Sequence, residues 1–103
     1  MEQLTCETQL KEKINHEEIV IILIKTQNCS VCEAVYAQLE EFLTEYPVVK
    51  GYYVSIEEIP QVASEYLVFT GPTVLLFING KEIERQSRFV SYQKFRDQIQ
   101  RYL

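Results

Sequence analysis

The segment EIVIILIK contains an unbroken apolar run from Ile19 to Ile24, made mostly of β-branched residues. A strand with one face in water alternates apolar and polar residues, and this run shows no alternation. It is typical of a strand inside a parallel or mixed sheet that helices cover on both faces. The run therefore predicts an α/β fold with this strand at its centre.

A second pattern begins just after this run. From Cys29 the apolar residues recur at intervals of three and four, and the pattern ends at Pro47. This spacing predicts a helix with one buried stripe, and proline cannot continue a helix. The predicted stripe contains Cys32, Val35, Leu39, Phe42, Leu43 and Tyr46. The two cysteines of the motif NCSVC therefore lie in the first turn of that helix.

The remaining segments complete the predicted sheet and its cover. A short helix with Thr5 as its N-cap is expected before the central strand, and VVKGYYVSI is expected to form a second strand. Pro60 is predicted to begin a third helix. The segment PTVLLFINGKEIERQ predicts a hairpin with a type I′ turn at Asn79-Gly80, and Ser91 then caps a last helix. The prediction is a mixed β-sheet of about four strands flanked by about four helices.

Composition limits the class of protein. The chain has 103 residues without repeats or a linker, which predicts one domain over residues 1–103. A net charge of -5 and the lack of a basic cluster argue against nucleic-acid and membrane partners. No apolar run approaches the roughly 20 residues that span a bilayer. Since MEQLTCETQL also lacks the pattern of a secretory signal, we expect a cytoplasmic protein.

The spacing of Cys29 and Cys32 permits three kinds of site. As a reactive pair, Cys29 is stabilised as a thiolate by the helix N-terminus, and Cys32 can resolve a mixed disulfide. As a zinc clip, the pair needs two more ligands, and only Cys6 and His16 remain. If both cysteines are inert packing residues, the position of Cys32 on the buried stripe is explained well. The position of Cys29 is explained poorly, because it follows a polar loop. We expect no metal and no other cofactor.

The motif NCSVC after a buried strand, followed later by GPTVLLFINGKEI, resembles the thioredoxin family in order and spacing. The resemblance extends over nearly the whole chain. It implies a thioredoxin fold, thiol-disulfide exchange at Cys29 and Cys32, and a cis peptide before Pro72 that faces the sulfurs. It also implies that the backbone of Gly71 contacts an extended substrate segment. The expected substrate groove comprises Gly71, Pro72, Asn28, Ser30 and Val31.

This resemblance predicts a thiol-disulfide oxidoreductase that reduces or exchanges protein disulfides. A reductase or a low-molecular-weight thiol is expected to supply the electrons. The alternative is a non-catalytic interaction or redox-sensing module, which the departures from the family pattern favour. The chain has no Trp, has Ser30-Val31 where the family has Gly-Pro between the cysteines, and has Leu23 where the family has a buried acid. It also has Glu33 where a positive residue is usual. A late glycine of the family's binding surface is not evident in RQSRFVSY.

Overall fold

A computed structural model describes residues 1–103. Its elements, in chain order, are β1 (Glu2–Gln3), α1 (Glu7–His16), β2 (Ile19–Lys25), α2 (Ser30–Glu45), β3 (Lys50–Ser55), α3 (Gln61–Glu65), β4 (Thr73–Ile78), β5 (Lys81–Ser87) and α4 (Tyr92–Tyr102). The predicted α/β class and the predicted order of helices and longer strands are confirmed. Strand β1 was not predicted, because a strand of two residues is too short to show a periodic pattern.

The strands form one sheet in the order β1-β3-β2-β4-β5. Strand β2 is central, parallel to β3 on one side and antiparallel to β4 on the other. Each residue from Ile19 to Ile24 is at most 1% exposed. The unbroken apolar run therefore does mark a strand that is covered on both faces.

Helices cover both faces of β2, and its side chains alternate between two hydrophobic clusters. Val20, Ile22 and Ile24 pack in one cluster with residues of α1 and α3. Ile21 and Leu23 pack in the other with residues of α2 and α4. Because each face has its own helical cover, no position in the strand is left for a polar residue.

Two predicted helix boundaries need correction, and a third is confirmed without its expected capping hydrogen bond. The N-cap position of α1 is Cys6 and not Thr5, whose backbone N–H donates instead to the side chain of Gln9 at 3.0 Å. Pro60 occupies the N-cap position of α3 and is not its first helical residue. Ser91 does precede α4 as predicted, but its side chain makes no capping hydrogen bond. Each correction concerns a terminal position, where several neighbouring residues can begin a helix.

The hairpin between β4 and β5 is confirmed. Asn79 and Gly80 have φ angles of 51° and 80°, and a type I′ turn requires positive φ at both positions. The register of the ladder then pairs Thr73 with Ser87 on one side and with Ile24 on the other. The start of β4 therefore lies between the ends of β2 and β5.

No helix of the protein is both long and apolar enough to cross a membrane.

Candidate active site

Three loops meet at the end of the sheet where β2 and β5 end and β4 begins. The segment from residue 26 to residue 29 leaves the end of β2, Gly71 and Pro72 precede β4, and Arg88 and Phe89 follow β5. The backbone N–H of Arg88 donates to the carbonyl of Pro72 at 2.8 Å, which ties two of the loops together. Chain segments far apart in sequence therefore form one continuous surface.

The two cysteines lie at the start of α2, as predicted. Cys29 is the N-cap residue, and the backbone N–H of Cys32 donates to its Sγ at 3.1 Å. The two sulfurs form a disulfide, with the Cα atoms 5.2 Å apart. Cys32 is completely buried, whereas Cys29 is only partly covered. In the reduced protein the same N–H group and the helix dipole favour a thiolate at Cys29.

A groove of about 340 Å³ opens beside Cys29. Its lining contains all five residues expected in a substrate groove, together with Cys29 and four others. The lining residues are Thr26, Gln27, Asn28, Cys29, Ser30, Val31, Gly71, Pro72, Arg88 and Phe89. Cys32 lies outside this lining, buried on the inner side of α2. A molecule in the groove can therefore reach one sulfur of the pair and not the other.

Gly71 brings its loop close to the loop after β2. A Cβ atom at this position would lie 3.0 Å from Cγ2 of Thr26 and 3.2 Å from its backbone nitrogen. The Gly71-Pro72 peptide bond is cis, as the resemblance implies. Neither the N–H nor the carbonyl of Gly71 makes a hydrogen bond within the protein. These two backbone groups are free to pair with another chain.

The region beneath the pair contains no acid. Leu23 is fully buried and pairs across the sheet with Tyr53 and Val74. Thr73 is the only polar residue among the buried ones. A proton that leaves Cys32 therefore has no buried carboxylate to accept it.

Outside the core, Glu33, the residue after Cys32, belongs to a charged pair. Its carboxylate lies 2.8 Å from Nζ of Lys25, the last residue of β2. The negative charge that the sequence places beside the thiols is thus accompanied by a positive one. Lys25 is not recognisable as the partner of Glu33 from the sequence, because eight positions separate the two residues along the chain.

No group of three or more His, Cys, Asp or Glu side chains is placed so that it could hold a metal ion. The two remaining candidate ligands of the zinc interpretation, Cys6 and His16, are both exposed on α1 or at its start. The structure therefore provides no set of ligands that could close a tetrahedral zinc site around the cysteine pair.

Sequence patterns also missed Arg88 and Phe89. Arg88 has a φ of 68°, a conformation that favours glycine, in the segment where the sequence lacks the expected glycine. Phe89 is 88% exposed. Counting back from Asn79-Gly80 would pair Thr73 with Gln86. An irregularity in the ladder between Leu76 and Phe77 moves the pairing to Ser87, so the hairpin signal alone does not place Arg88 and Phe89.

Comparisons with known proteins agree with this geometry. The thioredoxin family model matches residues 2–101. A thioredoxin-like protein of Bacillus subtilis, YdfQ, is 34% identical over 88 residues, which cover 85% of this chain and 79% of that protein. Thioredoxin-1 of Saccharomyces cerevisiae is 28% identical over 83 residues, which cover 81% of each chain.

Solved structures show the same fold. Plasmodium falciparum thioredoxin superposes with a TM-score of 0.85 at 18% identity, over 100% of both chains. Fasciola hepatica thioredoxin superposes with a TM-score of 0.83 at 25% identity, also over 100% of both chains. The family match over nearly the whole length, the fold and the position of the cysteine pair lead to one conclusion. The chain belongs to the thioredoxin family.

Proposed function

We propose that this thiol-disulfide oxidoreductase attacks protein disulfides with Cys29 and resolves the resulting mixed disulfide with Cys32. The observation that carries the proposal is the difference between the two sulfurs. Cys29 lines the groove and accepts an N–H from the first turn of α2, whereas Cys32 is completely buried. A protein substrate can approach only the first of them.

The proposed reaction has two exchange steps. The thiolate of Cys29 attacks one sulfur of the substrate disulfide, whose other sulfur leaves as a thiolate and takes up a proton. Cys32 then loses its proton and attacks Sγ of Cys29, which releases the second substrate sulfur. The substrate gains two electrons, and the protein is left with the Cys29–Cys32 disulfide.

The groove supports an extended substrate segment next to Cys29. The free N–H and carbonyl of Gly71 can pair with the backbone of that segment, as an added strand pairs with a sheet edge. Pro72, Asn28, Ser30 and Val31 form part of the walls of the same groove. Backbone pairing of this kind accepts many sequences, so the walls determine which side chains fit.

A second thiol system must return the pair to the reduced state. We infer that a reductase or a low-molecular-weight thiol does so, and that the protein works in the cytoplasm. A reducing compartment keeps a dithiol ready to attack, and it also keeps the exposed third cysteine, Cys6, from forming unwanted disulfides.

A turnover assay tests the proposed function. The reduction of insulin disulfides by dithiothreitol is followed with and without the protein, in a Cys6→Ser background that removes the exposed thiol. We expect catalysis from Cys6→Ser and none from the additional Cys29→Ser variant. If Cys6→Ser gave no acceleration over dithiothreitol alone, the chain would be a thioredoxin-fold interaction module and not an exchange enzyme.

A further inference from the structure

The groove beside Cys29 has a charge opposite to that of the protein as a whole. The chain carries a net charge of -5, yet the groove lining contains no carboxylate and one charged residue, Arg88. Charges more than about 8 Å away are largely screened at physiological ionic strength. A segment lying in the groove therefore experiences the charge of Arg88 more strongly than the distant acidic surface.

The guanidinium of Arg88 has no partner in the protein. Arg85 and Arg96 form salt bridges with Glu82 and Glu45, whereas Arg88 forms no salt bridge and no side-chain hydrogen bond. Arg88 is also exposed. Its donors are therefore free to bind a carboxylate, which a guanidinium can hold with two parallel hydrogen bonds.

The backbone holds this free side chain at the groove despite strain. Arg88 has a φ of 68°, a left-handed conformation that a non-glycine residue adopts only at a cost in free energy. The hydrogen bond from Arg88 to the carbonyl of Pro72 and the contact of 2.9 Å between the hydroxyls of Ser87 and Thr73 secure that conformation. The backbone of Arg88 is therefore fixed next to Pro72, and its side chain starts from the groove where the substrate backbone is expected.

Next to Arg88, the side chain of Phe89 is almost fully exposed. It is 88% accessible, and the apolar side chain of Val31, which also lines the groove, is 48% accessible. The protein leaves most of Phe89 and about half of Val31 uncovered. Together they can shield a large apolar side chain of a bound segment from water, a contribution that scales with the area buried.

From these contacts we infer that the groove selects protein disulfides whose attacked cysteine is flanked by a carboxylate and a large apolar side chain. Arg88 pairs with the carboxylate, and Phe89 with Val31 packs against the apolar residue. This inference rests on the proposed function, because the selected segment is the substrate of Cys29. It names a substrate class that the exchange chemistry alone does not determine.

Synthetic peptides with one disulfide to a small reporter thiol test the inference. The peptides differ only beside the cysteine, which is flanked by Glu, Gln or Lys, and the second-order rate constant of reduction is measured for each. For the Cys6→Ser protein we expect the Glu peptide to be reduced about fivefold faster than the Gln peptide, which is the effect of one exposed ion pair of about 1 kcal/mol. The Lys peptide should be reduced most slowly. High salt should reduce this preference.

Variants then locate the preference. Arg88→Gln should abolish the difference between the Glu and Gln peptides, and Arg88→Glu should favour Lys. Arg101→Gln removes the same charge from the last turn of α4, outside the groove, and should leave the ratios unchanged. Ratios are compared because any effect of Arg88 on the reactivity of Cys29 itself is common to all the peptides and cancels. Two further peptides carry Leu or Ser beside the cysteine, and the protein should reduce the Leu peptide faster. Phe89→Ala should reduce this difference in rate.

The possible results separate the two proposals. If the Glu, Gln and Lys peptides are reduced at equal rates, the selectivity inference is wrong and the proposed function stands. If no peptide and no insulin is reduced, the proposed function itself fails and the inference fails with it. If the preference for Glu persists in Arg88→Gln, a group other than Arg88 provides it and the assignment is wrong.

Discussion

Nζ of Lys25 lies 2.8 Å from the carboxylate of Glu33, the residue that follows Cys32. The same ammonium group faces the rings of Tyr36 and Tyr53, 5.6 Å and 5.2 Å from their centroids. The side chain of Lys25 is 17% exposed and that of Glu33 is 69% exposed, so the cation is the anchored partner. Without it, Glu33 would disfavour a thiolate in the first turn of α2.

Changing this pair should alter the reactivity of Cys29. Lys25→Met leaves Glu33 uncompensated, and we expect alkylation of reduced Cys29 at neutral pH to slow by about two- to fivefold. Glu33→Gln should accelerate it by a similar factor, and the double variant should return toward the parent rate. The measurement is the rate of iodoacetamide labelling in the Cys6→Ser background. Equal rates in all four proteins would show that the pair does not influence the thiol.

Replacing Leu23 with Asp tests how the proton leaves Cys32. With no buried carboxylate nearby, resolution depends on water or the departing thiolate, and we expect the rate of disulfide reduction to rise steadily with pH. Leu23→Asp should raise the rate near neutral pH and lower the free energy of unfolding by about 2–4 kcal/mol. Leu23→Asn is the control, because it buries a polar group that accepts no proton. Identical pH-rate profiles for both folded variants would mean that proton transfer is not limiting.

A methyl group at Gly71 should disturb the groove. The new Cβ of Gly71→Ala would lie 3.0 Å from Cγ2 of Thr26, which is closer than ordinary contact. We expect a loss of about 1–3 kcal/mol in the free energy of unfolding and slower insulin reduction. Adding Thr26→Ser removes Cγ2 and should restore part of the stability and part of the rate of insulin reduction. Urea unfolding and the turnover assay measure the two quantities. Full stability in Gly71→Ala alone would show that the two loops can separate without cost.

Alkaline pH should weaken the fold through Tyr52. Burial, and then its hydrogen bond to Glu17, raise the pKa of Tyr52 to about 12. In the unfolded chain the pKa is about 10, so this contribution to stability is fully present below about pH 10 and is lost as pH rises toward 12. The Tyr52→Phe variant has no group that titrates at this position. The amount by which its free energy of unfolding in urea falls below that of the parent protein should therefore shrink above about pH 10. A difference that stays constant with pH would contradict the raised pKa.

The sequence predicted those features that depend on local or periodic signals. The unbroken, mostly β-branched run from Ile19 to Ile24 is typical of a strand covered on both faces. The dipeptide Asn79-Gly80 is typical of a type I′ turn. Arg88 could not be recognised in this way. Its place beside Pro72 depends on the register across the sheet, which no stretch of neighbouring residues encodes.

The same limit applies to the charges around the thiols. From sequence, Glu33 appeared as an uncompensated negative charge next to Cys32. The fold brings Lys25 to it from the end of β2, because that strand leads directly into the loop before α2. An ion pair between different elements is visible only once the packing of the strand against the helix is known.

The most direct test of the assigned roles is to trap the mixed disulfide. Reduced Cys6→Ser protein carrying either Cys32→Ser or Cys29→Ser is mixed with insulin, quenched with acid and analysed by intact mass without reductant. We predict a covalent adduct of the protein with an insulin chain through Cys29 in the Cys32→Ser variant, and none in Cys29→Ser. An adduct from Cys29→Ser, with none from Cys32→Ser, would contradict the assignment and make Cys32 the attacking thiol.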